Sequence, residues 1–275
     1  MNESRTKELE AICLKLRNSL IDMLYDKQTG HPGGSLSCTE ILTTLYYEKL
    51  IINPKEPRME GRDRFILSKG HAAPMLYLIL ADLGYFPKEE LNTFRQINSS
   101  LQGHPCAHKT EGVELSTGPL GLGLGAGLGM ALSERLKGSD AYVYVLLGDG
   151  EIQEGAVWEA AMAASKFKAD HLIGILDNNG VQLDGSLEEI MPMGDIGAKF
   201  SAFGWNVLYC DGHDVNSISE AIESAKSNKD TPTIIIAKTV KGKGISFMEG
   251  KNIWHGKAIN AEEYKAAKEE LRGEE

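Results

Sequence analysis

YVYVLLGDGEIQEG at residues 142–155, matched by LIGILDNNG at 172–180, decides the fold. Each segment begins as a short apolar run rich in β-formers and breaks off in Gly, Asp and Asn, the pattern of a buried strand ending in a tight turn. The strand-like runs are 142–147, 172–176, 205–209 and 233–237, and helical patterns lie between them at 151–166, 194–203 and 215–227. Strands alternating with helices build βαβ units, so the expected fold is α/β: a mostly parallel sheet with helices on both faces. Such sheets bind ligands beyond the carboxyl ends of their strands. Here those ends carry Gly148-Asp149-Gly150, Asp177-Asn178-Asn179-Gly180, Asp211-Gly212-His213-Asp214 and the lysine-rich run 238–244.

Upstream, Leu9, Ile12, Cys13, Leu16, Leu20, Met23 and Leu24 recur at helical spacing, and Gly30 stops that helix. Ser37-Cys38-Thr39-Glu40 reads as a capping box opening the next helix. Residues 64–68 read as a short buried strand with a helix over 72–83 behind it, and 98–118 as a long loop. A last helix over 260–272 opens on its own cap pattern, Asn260 and Glu263. Repeats, low-complexity tracts and linkers are absent, which leaves one domain over 1–275.

Composition narrows the class. The chain has 275 residues, 42% hydrophobic and 25% charged, as an ordinary globular protein does. Its net charge of −10, from 39 acidic and 29 basic residues, argues against nucleic acid or an anionic membrane as the main partner. Cys13, Cys38, Cys106 and Cys210 are scattered without metal-site spacing, which fits idle thiols in a reducing compartment. The N-terminus lacks a signal-peptide core, and the apolar run 120–132 is too short and glycine-rich to span a bilayer, so the expected location is cytoplasmic.

Chemistry concentrates at a few places. Asp149 and Asn179, with a loop carbonyl such as that of Val181, offer the hard oxygens that Mg²⁺ or Ca²⁺ takes. Glycines there let backbone approach a phosphate, and a helix starting near Glu151 would aim its amides at it. Two ordinary βα turns would use the same residue types. The glycines of 117–129 never spell the dinucleotide fingerprint; from Gly121 on they open a closely packed helix, and the Gly118-Pro119-Leu120 turn could present amides to a cofactor. His31, His71, His104 and His255 each neighbour a glycine, a setting for a cluster that binds hydroxyls and phosphate and moves protons, or for four structural histidines. Zinc spacing is absent. Lys241 and Lys243 form a small positive patch suited to phosphate, or are solvated surface lysines.

Assembled in order, GHPGGSLS (30–37), DRFILSKGHAAPMLY (63–77), GHP (103–105), STGPLGLGLGAGLGMA (116–131), GDGEIQEGAVWEA (148–160), DNNGVQLDG (177–185) and the segment 238–257 resemble transketolase, specifically its N-terminal thiamine-diphosphate-binding domain. The resemblance implies that Asp149, Asn179 and the Val181 carbonyl bind Mg²⁺ or Ca²⁺. It implies that Gly118, Leu120, Gly150, Glu154, Asn179, His71, Lys241 and His255 surround the cofactor. His31, His71, His104 and His255 match catalytic histidines that hold the sugar and move protons. Glu154 and Glu159 match acidic residues at a subunit interface. Gly33-Gly34 and Lys69 depart from some relatives without removing a metal or diphosphate ligand.

The same resemblance implies transfer of a two-carbon ketol unit between sugar phosphates in pentose phosphate metabolism. It also implies a missing part, because a pyrimidine-binding domain and a C-terminal domain complete a transketolase. Only 28 residues follow Phe247, too few for either. The expectation is a subunit that works with a second chain, as a two-plus-two heterotetramer. The alternatives are a thiamine-diphosphate enzyme for a branched or deoxy ketose phosphate and a non-catalytic cofactor-binding remnant.

Overall fold

The computed structural model describes residues 1–273. Five strands make one sheet: β1 Arg64–Leu67, β2 Val143–Gly148, β3 Leu172–Asn178, β4 Asn206–Asp211 and β5 Thr233–Lys238. Their order is β1-β2-β3-β5-β4 and every neighbouring pair is parallel. The α-helices among the described residues are α1 Glu3–Lys27, α2 Pro32–Ser37, α3 Thr39–Thr44, α4 Ala73–Leu83, α5 Gly123–Leu136, α6 Gly155–Lys166, α7 Leu187–Ile190, α8 Ile196–Ala202, α9 Val215–Ser227 and α10 Ala261–Arg272.

Side chains alternate across a strand, so the nearly continuous apolar runs of β2, β3 and β5 must be covered twice. They are. Tyr144, Leu146, Ile173, Ile175 and Ile235 join a core with α1, α3, α4 and α9. Val145, Leu147, Leu172, Leu176, Ile234 and Ile236 join a second core with α5, α6 and α8. Burying one such side chain contributes about 1.5–3 kcal/mol. The helix after Gly121 does pack closely: a Cβ on Gly127 would stand 2.5 Å from Val145 Cγ2. Among the described residues, no helix is long and apolar enough to cross a membrane.

Two expected helix starts are corrected. Ser37 does not cap a helix; it ends α2, and its hydroxyl donates to Asp177 Oδ2 at 2.5 Å. Cys38 precedes α3 with no side-chain cap, and Glu40 turns to Arg17 instead. Glu151 does not start α6. It sits in a short 3₁₀ turn, Glu151–Gln153, Glu154 is extended, and the helix begins at Gly155. The Asn260 capping box is present as read.

Candidate functional site

The sheet register aligns the polar strand ends. Gly148 of β2 pairs with Asp177 of β3, Asn178 with Lys238 of β5, and Lys238 with Asp211 of β4. Asp149 and Asn179 therefore leave one edge of the sheet side by side. Asp149 accepts hydrogen bonds from the amides of Gly150, at 2.8 Å, and Gly180. Asn179 Oδ1 accepts from the Val181 amide at 3.0 Å, and the Val181 carbonyl accepts from Lys241 Nζ at 3.0 Å. Lys241 Nζ also donates to His255 Nδ1 at 3.0 Å, which joins these oxygens to the histidines.

The four glycine-flanked histidines converge. His31 lies with its ring centroid 5.5 Å from His71, 6.2 Å from His104 and 5.4 Å from His255, and His71 is 4.9 Å from His255. Burial, then the cationic neighbours Arg95 and Lys241, pulls His31 down to about 4. Burial and Lys241 take His255 to about 3, and burial beside Lys69 holds His71 well below the usual histidine range. His104 is lowered by burial and Arg95. All four rings are neutral near pH 7. Arg95 donates to His31 Nδ1 at 3.4 Å and Lys241 to His255 Nδ1, so both rings carry their proton on Nε2. Lys241 itself is lowered to about 8 by burial and Lys69.

Glycines make this approach possible. A side chain on Gly34 would meet His71 Nε2 at 3.0 Å, and one on Gly33 would meet the Trp254 carbonyl at 2.8 Å. Gly33 therefore leaves no room for a side chain, and one at Gly34 would have to shift the His71 ring by a few tenths of an ångström. Gly118 has φ +142° and lies against His104, in a conformation that L side chains rarely adopt. Leu120 and Glu154 are exposed and reach none of these histidines through a hydrogen bond, and Glu159 is exposed on α6. Lys243 does not share a patch with Lys241; it pairs with Glu249 at 3.5 Å.

Sequence reasoning missed two buried charges. Lys69 and Asp177, both about 1% exposed or less, form an ion pair beneath the site, and Ser37 and Thr239 also donate to Asp177. Burial alone would raise Asp177, but the Lys69 ammonium outweighs it and holds the carboxyl below its usual range. Glu151 accepts from the Gly121 and Gly148 amides at 2.9 and 3.0 Å and from the Ser68 hydroxyl, tying the ends of β1 and β2 to the start of α5. The lysine was visible beside Gly70-His71 but carried no sign of its partner.

Asp149 differs from Asp177. It is 3% exposed, yet no Lys, Arg or His among the described residues lies within ion-pair distance. Burial and the Asp177 charge push it up to about 6. A buried carboxylate without a cation, an amide oxygen and a carbonyl are a donor set that fits a hard divalent ion. Among the described residues no cluster of three or more His, Cys, Asp or Glu could hold a metal, so further oxygens would come from a ligand.

Residues 10–274 match the family described as transketolase, thiamine diphosphate binding domain. The chain belongs to the transketolase family. It is 42% identical to one subunit of an apulose-4-phosphate transketolase from Actinobacillus succinogenes, covering 97% of both chains. It is 44% identical to a 6-deoxy-6-sulfo-D-fructose transketolase subunit from Clostridium sp., covering 94% of each. Human transketolase is 40% identical over 94% of this chain but only 41% of its own length. The solved transketolase of Campylobacter jejuni superposes with a TM-score of 0.91 at 36% identity, over 99% of this chain and 43% of that one. This transketolase chain thus spans about two fifths of the full-length enzymes and nearly all of relatives named as subunits. The parallel-sheet fold described above is what superposes on that solved transketolase.

Proposed function

We propose that this chain is the diphosphate- and metal-binding subunit of a two-chain transketolase, moving a two-carbon ketol unit from a ketose phosphate to an aldose phosphate. The observation that carries the reading is the contact path from Asp149 and Asn179 through Val181 and Lys241 to four neutral histidines. Asp149, Asn179 and the Val181 carbonyl would hold Mg²⁺, or Ca²⁺, against a diphosphate. Gly118, Leu120, Gly150, Glu154, His71, Lys241 and His255 would line the cofactor. Thiamine diphosphate, when bound, supplies the carbanion that a ketol transfer needs. His31 and His104 would hold the sugar's hydroxyls and carbonyl, His31 as a neutral Nε2–H donor, and take part in its proton transfers.

The rest of the catalytic apparatus, a pyrimidine-binding domain, would come from a partner chain, which agrees with relatives that are themselves named as transketolase subunits. Two copies of each chain is the expected assembly. Four free cysteines suit a reducing compartment such as the cytoplasm. A second reading has its own support: relatives are named for apulose-4-phosphate and for 6-deoxy-6-sulfo-D-fructose, so a branched or deoxy ketose could replace the ordinary donor. The test is to assay the chain with the product of the adjacent reading frame, Mg²⁺ and thiamine diphosphate against a panel of ketose donors and aldose phosphate acceptors. Ketol transfer from one of them supports the reading. No transfer from any donor by a complex that binds the cofactor would overturn it.

A further inference from the structure

His213 lies in the turn after β4, outside every role given above. Its Nδ1 is 2.9 Å from Glu40 Oε2, and its Nε2 is 2.8 Å from the amide nitrogen of Val240. An amide can only donate, so Nε2 presents its lone pair and the proton sits on Nδ1, directed at Glu40. Glu40 Oε1 in turn meets Arg17 Nη2 at 2.5 Å, and Arg17 Nε donates to the Lys243 carbonyl at 3.2 Å. Arg17 and Glu40 are 7% and 6% exposed. The chain of contacts therefore runs from α1 through α3 to the β4 turn and returns to loop 239–244 at two points, one residue before Lys241 and two after it. Within the loop, the Gly242 amide donates to the Gly33 carbonyl at 3.0 Å.

Burying an ion pair is a poor way to add stability, since apolar groups of similar volume often do as well or better. What a polar relay provides is a fixed direction and a fixed tautomer. We infer that Arg17, Glu40 and His213 are positioning residues that hold loop 239–244 so that the Lys241 ammonium points at the diphosphate end of the site. The inference rests on the role proposed for Lys241. His213 acts through the Val240 amide and touches neither substrate nor cofactor.

Two substitutions separate its halves. An Asn amide sits where Nδ1 is and reaches only Glu40; a Gln amide extends to the place of Nε2 and can accept from Val240. In the complex with its partner subunit, His213→Asn should bind thiamine diphosphate with Mg²⁺ at least tenfold more weakly by calorimetry, with kcat at saturating cofactor little changed. His213→Gln should stay within about threefold of wild type. Equal losses in the two variants, or none in His213→Asn, would overturn the inference. Two readouts need no variant to fold. In the ¹⁵N-histidine-labelled full chain, His213 should show the Nδ1–H tautomer, and the Val240 amide should exchange slowly with deuterium. An Nε2–H tautomer, or free-loop exchange at Val240, would overturn it. A wild-type complex that binds no thiamine diphosphate would instead remove the cofactor reading, whatever the tautomer of His213.

Discussion

Asp149, just past the end of β2, and Asp177, near the end of β3, are both buried, but only the second has a cation, Lys69, to balance its charge. Asp149→Ala should therefore leave the fold intact while weakening thiamine diphosphate binding by the assembled enzyme at least tenfold, or about 1.4 kcal/mol, in a titration with Mg²⁺. His31→Ala and His104→Ala should lower kcat/KM by roughly 10²–10⁴ with midpoints moved only a few degrees, measured by steady-state kinetics beside thermal melts. His31 also predicts a pH effect. Its folded value of about 4 lies below the ordinary 6.5, so the unfolded chain binds the proton first. The stability it contributes is complete above pH 6.5 and is lost as pH falls through 4. In denaturant unfolding, wild type should lose more stability than His31→Gln between pH 7 and 4. Parallel profiles would contradict the burial of that ring. The glycine-bounded Asp149, Asn179 and histidines were readable because small flanking residues mark a place where backbone must come close. Lys69 and Asp177 were not, since their pairing joins positions 108 apart and local pattern carries no trace of it.

At the level of elements, α9 was read to both ends because Asp214 caps it and its apolar residues keep helical spacing. The α6 start failed because Glu151, a good first-turn residue, spends its carboxylate on the amides of Gly148 and Gly121. The Ser37 box failed for the same reason: a tertiary partner, Asp177, outcompeted the local one. Helix α5 offers a direct test of packing against propensity. Gly127→Ala drives a methyl into Val145 and should cost about 1–3 kcal/mol, lowering the midpoint by roughly 3–10 °C. A Cβ on Gly129 meets nothing within 4 Å, so Gly129→Ala should raise stability by about 0.5–1 kcal/mol. Calorimetric melts of the single chain decide both. Similar shifts in the two variants would mean that α5 does not lie against β2 as described.

For the whole molecule, the expectation is division of labour. The purified chain should show no ketol transfer with Mg²⁺ and thiamine diphosphate, and addition of the partner subunit should restore it. Robust turnover by this chain, with the partner absent by mass spectrometry, would falsify that arrangement. The strand order has a further consequence, for how the chain is made. β1 first finds a neighbour at Val143, and β4 touches the sheet only through β5, which is synthesised after it. Parallel pairings over such separations close slowly, because the entropy of the intervening loop is lost before contacts return it. During translation residues 206–211 wait, half finished, for 233–238, and loop 239–244 follows only then. Translation stalled before residue 233 would leave β3 and β4 each without the neighbour that β5 supplies, an aggregation hazard that eases once β3 is interior and β4 keeps only its outer edge.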